Sequence, residues 1–153
     1  MQIKFMRAAI KEALKAAKED EVPVGAVIVK DGKIISRAHN KMEKTQLATA
    51  HAEILAINKA CKKLKSWRLD GLEMYVTVEP CAMCAGAIAN ARIKEVFFGA
   101  YEEKSGCAES KFPVLTDSGL NHKTDFTGGI EHDVCANIIK NYFKAKRIKK
   151  SLD

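Results

Sequence analysis

The order of hydrophobic and polar positions predicts alternating helices and strands along the chain. Apolar residues from Ile3 to Ala17 recur at helical spacing, so we expect a core-packed helix that ends between Ala17 and Asp20. Two β-rich runs follow, from Val22 to Lys30 and from Lys33 to Ala38. Asp31-Gly32 joins them, and this dipeptide favours a two-residue hairpin because both residue types tolerate positive φ angles.

The rest of the chain continues this alternation. We expect a helix from about Ala50 to Leu64, a strand from Leu72 to Val78, a helix from Cys81 to about Ala91, a strand from Lys94 to Ala100 with a loop through Ser110, a short strand near Lys123 to Phe126, and a helix from about Glu131 to Lys150. This order predicts an α/β fold in which helices cover a sheet, with parallel strands where a helix intervenes. No linker or repeat interrupts residues 1–153, so we expect a single domain.

Composition excludes several classes of protein. Hydrophobic residues make up 47% of the chain and charged residues 29%, as in ordinary globular proteins. No apolar run approaches the length of a membrane span, so we expect no membrane partner. The five cysteines are better explained by reduced thiols than by disulfides, because an odd number remains after a metal has taken two. We therefore expect a cytoplasmic protein.

Two short segments carry the clearest chemistry, Thr49-Ala50-His51-Ala52-Glu53 and Glu79-Pro80-Cys81-Ala82-Met83-Cys84. Cys81 and Cys84 are three residues apart, so on a helix both thiols lie on one face and can bind one metal ion. A position near a helix start favours thiolate, the form that binds zinc, and His51 can add a neutral imidazole. Three protein ligands leave a coordination position for water, which is typical of catalytic zinc sites.

A structural zinc site is the alternative interpretation of the same residues. It requires a fourth protein ligand, for which the sequence offers Cys61, Cys107 and His39. A closed site with four protein ligands would have no position for a reacting water.

Glu53 follows His51 by two residues and would be the proton carrier of a catalytic site. Regular helical spacing points these two side chains apart, so both approach one metal ion only if the segment begins a helix or departs from regular geometry. We expect Thr49 to cap this helix, because its hydroxyl can accept a first-turn N–H. We expect Pro80 in the first turn of the next helix, where its missing N–H costs nothing.

The charge of the chain bears on its partners. The formal net charge is +7, and residues 140–150 contain no acid but six basic residues: Lys140, Lys144, Lys146, Arg147, Lys149 and Lys150. Such a helix can follow a phosphate backbone, or it can be a lysine-rich solvated face. Beside it, Tyr142 and Phe143 can stack on an unpaired base or pack in the core.

Several motifs give the chain a resemblance to a known family. They include Val22-Pro23-Val24-Gly25-Ala26, Asn40 after Ala38-His39, Tyr75-Val76-Thr77-Val78-Glu79, Cys84-Ala85-Gly86-Ala87, Phe98-Gly99-Ala100, Asn121-His122 and Tyr142-Phe143-Lys144. With the His-x-Glu and Pro-Cys-x-x-Cys segments, these resemble the bacterial tRNA-specific adenosine deaminases of the cytidine deaminase superfamily. The similarity extends from about residue 3 to about residue 148.

The resemblance implies a fold, a reaction and partners. The fold would be the three-layer α/β/α cytidine deaminase-like fold, whose central mixed sheet of about five strands is flanked by helices. The reaction would be hydrolytic deamination of adenosine to inosine at the wobble position of the tRNA anticodon. One Zn²⁺ per subunit, held by His51, Cys81 and Cys84, would activate the hydroxide, with Glu53 as proton shuttle. The partners would be a tRNA anticodon stem-loop and a second copy in a homodimer.

The resemblance also implies substrate contacts. Asn40 would orient the base, although an asparagine after a strand is also a common turn residue. Val22 and Pro23 would form the pocket wall, Phe143 would meet nucleotides that flank the target, and Glu102 and Lys104 would lie in a loop near the substrate.

The sequence departs from the family pattern at a few positions. Leu47-Ala48 stands where the family usually has Asp-Pro, and Glu102 stands where it usually has Asp. The segment Glu109-Ser110-Lys111-Phe112 also differs from the usual Gly-Ser-Leu-Met. These changes leave the metal chemistry intact and concern the nucleotide context that is read.

Two other functions fit the same residues. A deaminase of free bases or nucleosides, such as guanine or cytosine, would use the same zinc chemistry without RNA. A zinc-stabilised RNA-binding module would keep the metal and the basic helix but would have no catalytic role for Glu53.

Overall fold

The computed structural model describes residues 2–117 and 119–153 as a five-stranded sheet covered by helices. The strands are β1 (Gly25–Lys30), β2 (Lys33–His39), β3 (Glu73–Val78), β4 (Glu95–Ala100) and β5 (Asp125–Thr127). The helices are α1 (Ile3–Lys18), α2 (Met42–Thr45), α3 (Ala52–Leu64), α4 (Ala82–Asn90), α5 (Val114–Asp117) and α6 (His132–Leu152). The α/β class predicted from the sequence is confirmed.

The sheet is mixed and has the strand order β2-β1-β3-β4-β5. β1 pairs antiparallel with β2 and with β3, whereas β3 and β4, and β4 and β5, pair in parallel. The hairpin turns at Asp31-Gly32, where φ is 50° and 76° as a type I′ turn requires. Both parallel pairs are separated by a helix, because a parallel connection must cross back over the sheet.

Helices lie on both faces of the sheet, which confirms the three-layer arrangement. α1 and α6 pack on the face that carries Val27 and Tyr75, and α3, α4 and α5 pack on the face that carries Ile28 and Val76. Neighbouring residues of one strand separate in this way because successive side chains point to opposite faces. Within the described residues, no helix is both long enough and apolar enough to span a membrane.

The start of β1 differs from the sequence prediction. The strand begins at Gly25 rather than Val22, because the N–H of Val24 donates to the carbonyl of Val22 at 2.9 Å in a tight turn. Gly25 itself is required at this position, since a Cβ would overlap the backbone of Ala9 and Ala13 in α1. The turn moves Val22 and Val24 out of the sheet.

The short helices α2 and α5 were not predicted. Each has four residues, too few for an apolar period to be visible in the sequence. α2 is held from outside, because both carboxylate oxygens of Glu21 accept N–H groups at its start, those of Glu43 at 3.0 Å and Lys44 at 2.8 Å. Its position therefore depends on the end of α1, about twenty residues earlier in the chain.

Candidate active site

The starts of α3 and α4 provide the principal residues of the candidate active site. His51 precedes the first residue of α3 with an extended backbone (φ −77°, ψ 150°), and Cys81 precedes α4 in the same way (φ −76°, ψ 177°). Glu53 is then the second residue of α3, and it lines one cavity with His51 and Cys81. Because the segment begins a helix, His51 and Glu53 can face one metal ion although they are only two residues apart. Pro80 lies just before α4 rather than in its first turn.

His51, Cys81 and Cys84 have their ligand atoms within 4.8 Å of one another. The Nδ1 atom of His51 is 3.7 Å from the Sγ of Cys81 and 3.5 Å from the Sγ of Cys84. A nitrogen and a sulfur at zinc bond lengths on two corners of a tetrahedron are about 3.6 Å apart. The three side chains therefore fit one tetrahedral metal ion, and imidazole and thiolate are ligands that zinc prefers.

The side chains that the sequence offered as a fourth ligand have other partners. These are the Cys61 thiol with the carbonyl of Trp67, the Cys107 thiol with the carbonyl of Ser105, and the His39 ring with the carboxylates of Glu12 and Glu19. Over residues 2–117 and 119–153 the metal-binding group thus has three members. A set of three favours a catalytic site over a closed structural one.

The two thiols differ in their affinity for a proton. Hydrogen bonding from Cys84 and from His51 lowers the pKa of Cys81 to about 4, against the opposing effect of burial. The pKa of Cys84 is raised, because its thiol donates to Cys81 and is itself buried. The hydrogen bond with Cys81 raises the pKa of His51. These hydrogen bonds therefore favour the thiolate at Cys81, and a divalent cation would favour the thiolate at Cys84 as well.

Glu53 is the acid–base candidate, and 4% of its surface is exposed. Burial raises the pKa of its carboxyl group to about 7, although its own backbone N–H opposes the shift. The negative charge of Cys81 raises the pKa further. A group with a pKa near 7 can both accept and donate a proton at neutral pH, as general acid–base catalysis requires.

Asn40 connects the end of β2 to the start of α3. Its Oδ1 accepts the N–H of Ala52 at 2.7 Å, so Asn40 satisfies one of the unpaired donors of this helix. The expectation that Thr49 caps α3 is wrong, because the helix begins after His51. The side chain of Thr49 is exposed, and its backbone carbonyl accepts the N–H of His51. Since Oδ1 is occupied, the amide N–H₂ of Asn40 is the group that can donate to a ligand.

The cavity beside the triad has a volume of about 300 Å³. Its wall consists of Val22, Val24, Asn40, Met42, His51, Glu53, Val78, Glu79, Cys81, Glu102, Ser105, Ile139 and Phe143. The sequence analysis gave no site role to six of them: Val24, Met42, Val78, Glu79, Ser105 and Ile139. No local pattern marks them, because their positions depend on how distant segments pack.

Two of the residues predicted to contact substrate lie outside this wall. Pro23 is buried but does not line the cavity, and Lys104 is exposed on the loop after β4. Glu102 does line the cavity, but its Oε1 accepts the N–H of Lys104 at 3.0 Å. Its carboxylate is therefore committed in part to the loop that carries it.

The two aromatic residues of α6 have different roles. Tyr142 docks the helix, because its hydroxyl donates to Asp20 at 2.9 Å. Phe143 is 39% exposed, lines the cavity and meets the Tyr142 ring edge-on, with centroids 5.3 Å apart. Beyond Phe143 every residue of α6 is exposed, including its basic residues. The lysine-rich end of the helix thus follows the cavity residue Phe143 along the protein surface.

Comparison with known proteins places the chain among deaminases. Residues 2–147 match the family model of the MafB19-like deaminases. The tRNA-specific adenosine deaminase of Bacillus subtilis is 45% identical over 95% of this chain and 91% of that protein.

Solved structures give the same result. One, from a study of A-to-I editing by tRNA:A34 deaminases at the wobble position of transfer RNA, has a TM-score of 0.87 and is 42% identical over 90% of this chain and 99% of that one. Guanine deaminase from Bacillus subtilis has a TM-score of 0.64 and is 41% identical over 73% of this chain and 71% of that one. The first similarity confirms the cytidine deaminase-like fold.

Replacing Asn40 tests its part in holding α3. We expect Asn40→Ala to lower the free energy of unfolding by about 1 kcal/mol, because the N–H of Ala52 loses its acceptor. Thr49→Ala is the matched control and should have almost no effect. Chemical denaturation of both variants checks this, and equal losses would show that Asn40 does not act as the cap.

Proposed function

Because the chain belongs to the MafB19-like deaminases and to the tRNA-specific adenosine deaminases, we propose that it deaminates adenosine to inosine at the wobble position of a tRNA anticodon. One observation carries this proposal: the ligand atoms of His51, Cys81 and Cys84 lie together, and His51, Cys81 and the buried Glu53 line one cavity. The relatives support the substrate, and the geometry of the site supports the chemistry.

We assign His51, Cys81 and Cys84 as the ligands of one zinc ion per subunit. Bound zinc supplies hydroxide at neutral pH, because it lowers the pKa of a coordinated water. The chain's own contribution is to present both thiol groups at the start of α4, where the partial positive charge of the helix stabilises thiolate.

Glu53 moves the protons of the reaction. Its carboxylate accepts a proton from the attacking water and delivers it to N1 of the adenine ring as oxygen adds to C6. It then takes the proton of the new C6 hydroxyl and passes it to the amino nitrogen, so that the C–N bond breaks, ammonia leaves and the C6 carbonyl of inosine forms. A pKa of about 7 suits both steps, since the group can exist in either state near neutral pH.

Asn40 and the apolar wall recognise the base. The amide N–H₂ of Asn40 donates to an acceptor nitrogen on the edge of the base, because its oxygen is bound to Ala52. Val22 and Val24 give the base an apolar surface. A cavity of about 300 Å³ is at the small end of ligand sites and suits a single unstacked base.

The exposed end of α6 supports RNA as the partner. Phe143 lies at the cavity wall, where it can stack on a nucleotide next to the target. The basic residues beyond it can follow the phosphate backbone of an anticodon stem-loop, whose loop bases are already unpaired. Such a substrate is found in the cytoplasm, where we place the enzyme.

The proposal includes a homodimer that forms through the exposed side of α4. α4 carries no charged residue, and its exposed side includes Ala82 and Met83, the latter 36% exposed. Apolar surface of this kind, next to the candidate active site, suits an interface between subunits.

Light scattering tests the dimer. We expect twice the chain mass of 16.9 kDa for the wild type and a shift toward the monomer for Met83→Lys, because the charge must be buried in the interface. Leu14→Lys, at another exposed apolar residue, is the control and should leave the mass unchanged. A monomeric wild type at micromolar concentration would contradict the proposal.

Deamination of a free base is the second candidate, because the guanine deaminase of Bacillus subtilis is 41% identical over 73% of the chain. A substrate panel separates the two functions. We expect inosine to form in an anticodon stem-loop with adenosine at the wobble position and little ammonia from guanine, cytosine or free adenosine. A stem-loop with guanosine at that position is the control. Consumption of guanine without inosine in RNA would replace the first proposal by the second.

Removal of the proton carrier tests the mechanism. We expect Glu53→Gln to lower kcat by about 10²–10⁴-fold, the usual contribution of a general acid–base group, while the protein keeps one zinc ion per chain. His51→Ala should lose both zinc and activity. Metal analysis and single-turnover kinetics check these outcomes. A non-catalytic RNA-binding module would instead show no deamination in the wild type and equal RNA affinity in Glu53→Gln.

A further inference from the structure

Glu79 is a buried carboxylate that the proposed chemistry does not use. It lies between the end of β3 and Cys81, and 3% of its surface is exposed. Its backbone N–H donates to the carbonyl of Ala100 at 2.9 Å, which ties it to the end of β4. A buried carboxylate requires donors, and those of Glu79 come from one segment of the chain.

The donors all belong to the segment 101–110, which we name the substrate loop. Oε1 accepts the N–H of Glu102 at 3.1 Å and the hydroxyl of Ser110. Oε2 accepts the N–H groups of Ala108, Glu109 and Ser110 at 3.1, 2.9 and 2.9 Å. Five hydrogen bonds from one loop thus converge on a single side chain.

The substrate loop is shaped to hold this carboxylate. A Cβ at Gly106 would overlap the carboxyl group of Glu79, so only glycine allows the loop to pass so closely. The N–H of Cys107 donates to the carbonyl of Pro80 at 2.7 Å, a second link to the turn before α4. The loop contains no strand and no helix, so its backbone N–H groups have no carbonyl acceptors from regular structure. The carboxylate of Glu79 accepts several of them instead.

The same loop forms part of the cavity wall. Glu102 and Ser105 line the cavity, and Glu102 also donates its N–H to Glu79. The backbone then runs from Glu79 through Pro80 to the ligand Cys81. A single side chain therefore links the metal-binding turn to a wall that faces the substrate.

We infer that Glu79 is a positioning residue that holds the substrate loop against the metal-binding turn, so that Glu102 and Ser105 stand where the bound nucleotide meets them. This inference rests on the proposed function, in which an RNA nucleotide occupies the cavity. Glu79 also lines the cavity, but the loop occupies both of its carboxylate oxygens, so it acts through the loop rather than on the reacting atoms. Its loss therefore affects substrate binding more than the chemical step or the metal.

Glu79→Gln is the principal test. The new amide keeps one acceptor oxygen but turns its N–H₂ toward donors of the loop, so the loop loses part of its anchor while the size of the side chain is kept. We expect KM for the anticodon stem-loop to rise about tenfold, with kcat changed less than about threefold and zinc content unchanged. Glu73→Gln, at the other end of β3, is the matched control and should change none of these quantities.

Amide hydrogen exchange tests the anchor without RNA. In Glu79→Gln the amides of Glu102, Ala108, Glu109 and Ser110 should exchange about tenfold faster, whereas those of β3 and β4 should not change. Loop exchange at the wild-type rate would overturn the inference. Faster exchange with an unchanged KM would also overturn it, because the loop would then serve stability alone.

The remaining outcomes are distinct from one another. Loss of zinc with unchanged loop exchange would mean that Glu79 serves only the metal-binding turn and would overturn the inference. A wild type that leaves RNA unreacted contradicts the proposed function, while the exchange comparison still decides whether the anchor exists. If Glu79→Gln does not fold, Ser110→Ala tests the inference in its place, because it removes one donor to Glu79. We expect the rate of loop exchange and KM each to rise about threefold, and an unchanged value of either would overturn the inference.

Discussion

The burial of carboxylates is the constraint on which this structure depends, because an ionised carboxylate taken out of water must find other donors. Within the described part of the chain four glutamates are buried: Glu12, Glu21, Glu53 and Glu79. Three of them accept hydrogen bonds from other residues: Glu12 from Lys15 and His39, Glu21 from the start of α2, and Glu79 from the substrate loop. Glu53 has its own backbone N–H as a donor, and burial still raises its pKa to about 7. Glu53 can therefore both accept and release a proton near neutral pH.

The three satisfied carboxylates also build the cavity around Glu53. Glu21 holds the start of α2, which brings Met42 to the wall, and Glu79 holds the loop that brings Ser105. Glu12 binds His39, the residue before Asn40. Each carboxylate joins segments that are far apart in the chain. The hydrogen bonds that satisfy these buried carboxylates are thus the same hydrogen bonds that place residues at the cavity.

Metal chemistry and substrate recognition are separable in this site. The triad and Glu53 belong to the starts of α3 and α4, whereas the substrate-facing wall comes from turns, a loop and α6. Of the departures from the family pattern, Glu102 lines the cavity, but Leu47 and Ala48 are exposed outside its wall. Asn40 connects both parts, because its oxygen binds the start of α3 and its amide group can face the base.

The sequence alone determined the class of fold, the hairpin at Asp31-Gly32, the three candidate metal ligands and the candidate proton carrier, because periodicity, turn chemistry and ligand spacing are local properties. Only the tertiary structure decided where α3 begins, that Asn40 rather than Thr49 satisfies its first turn, and that the substrate loop closes on Glu79. These features join residues 12 and 29 positions apart. Nothing in a local window indicates which distant donor a buried oxygen will meet.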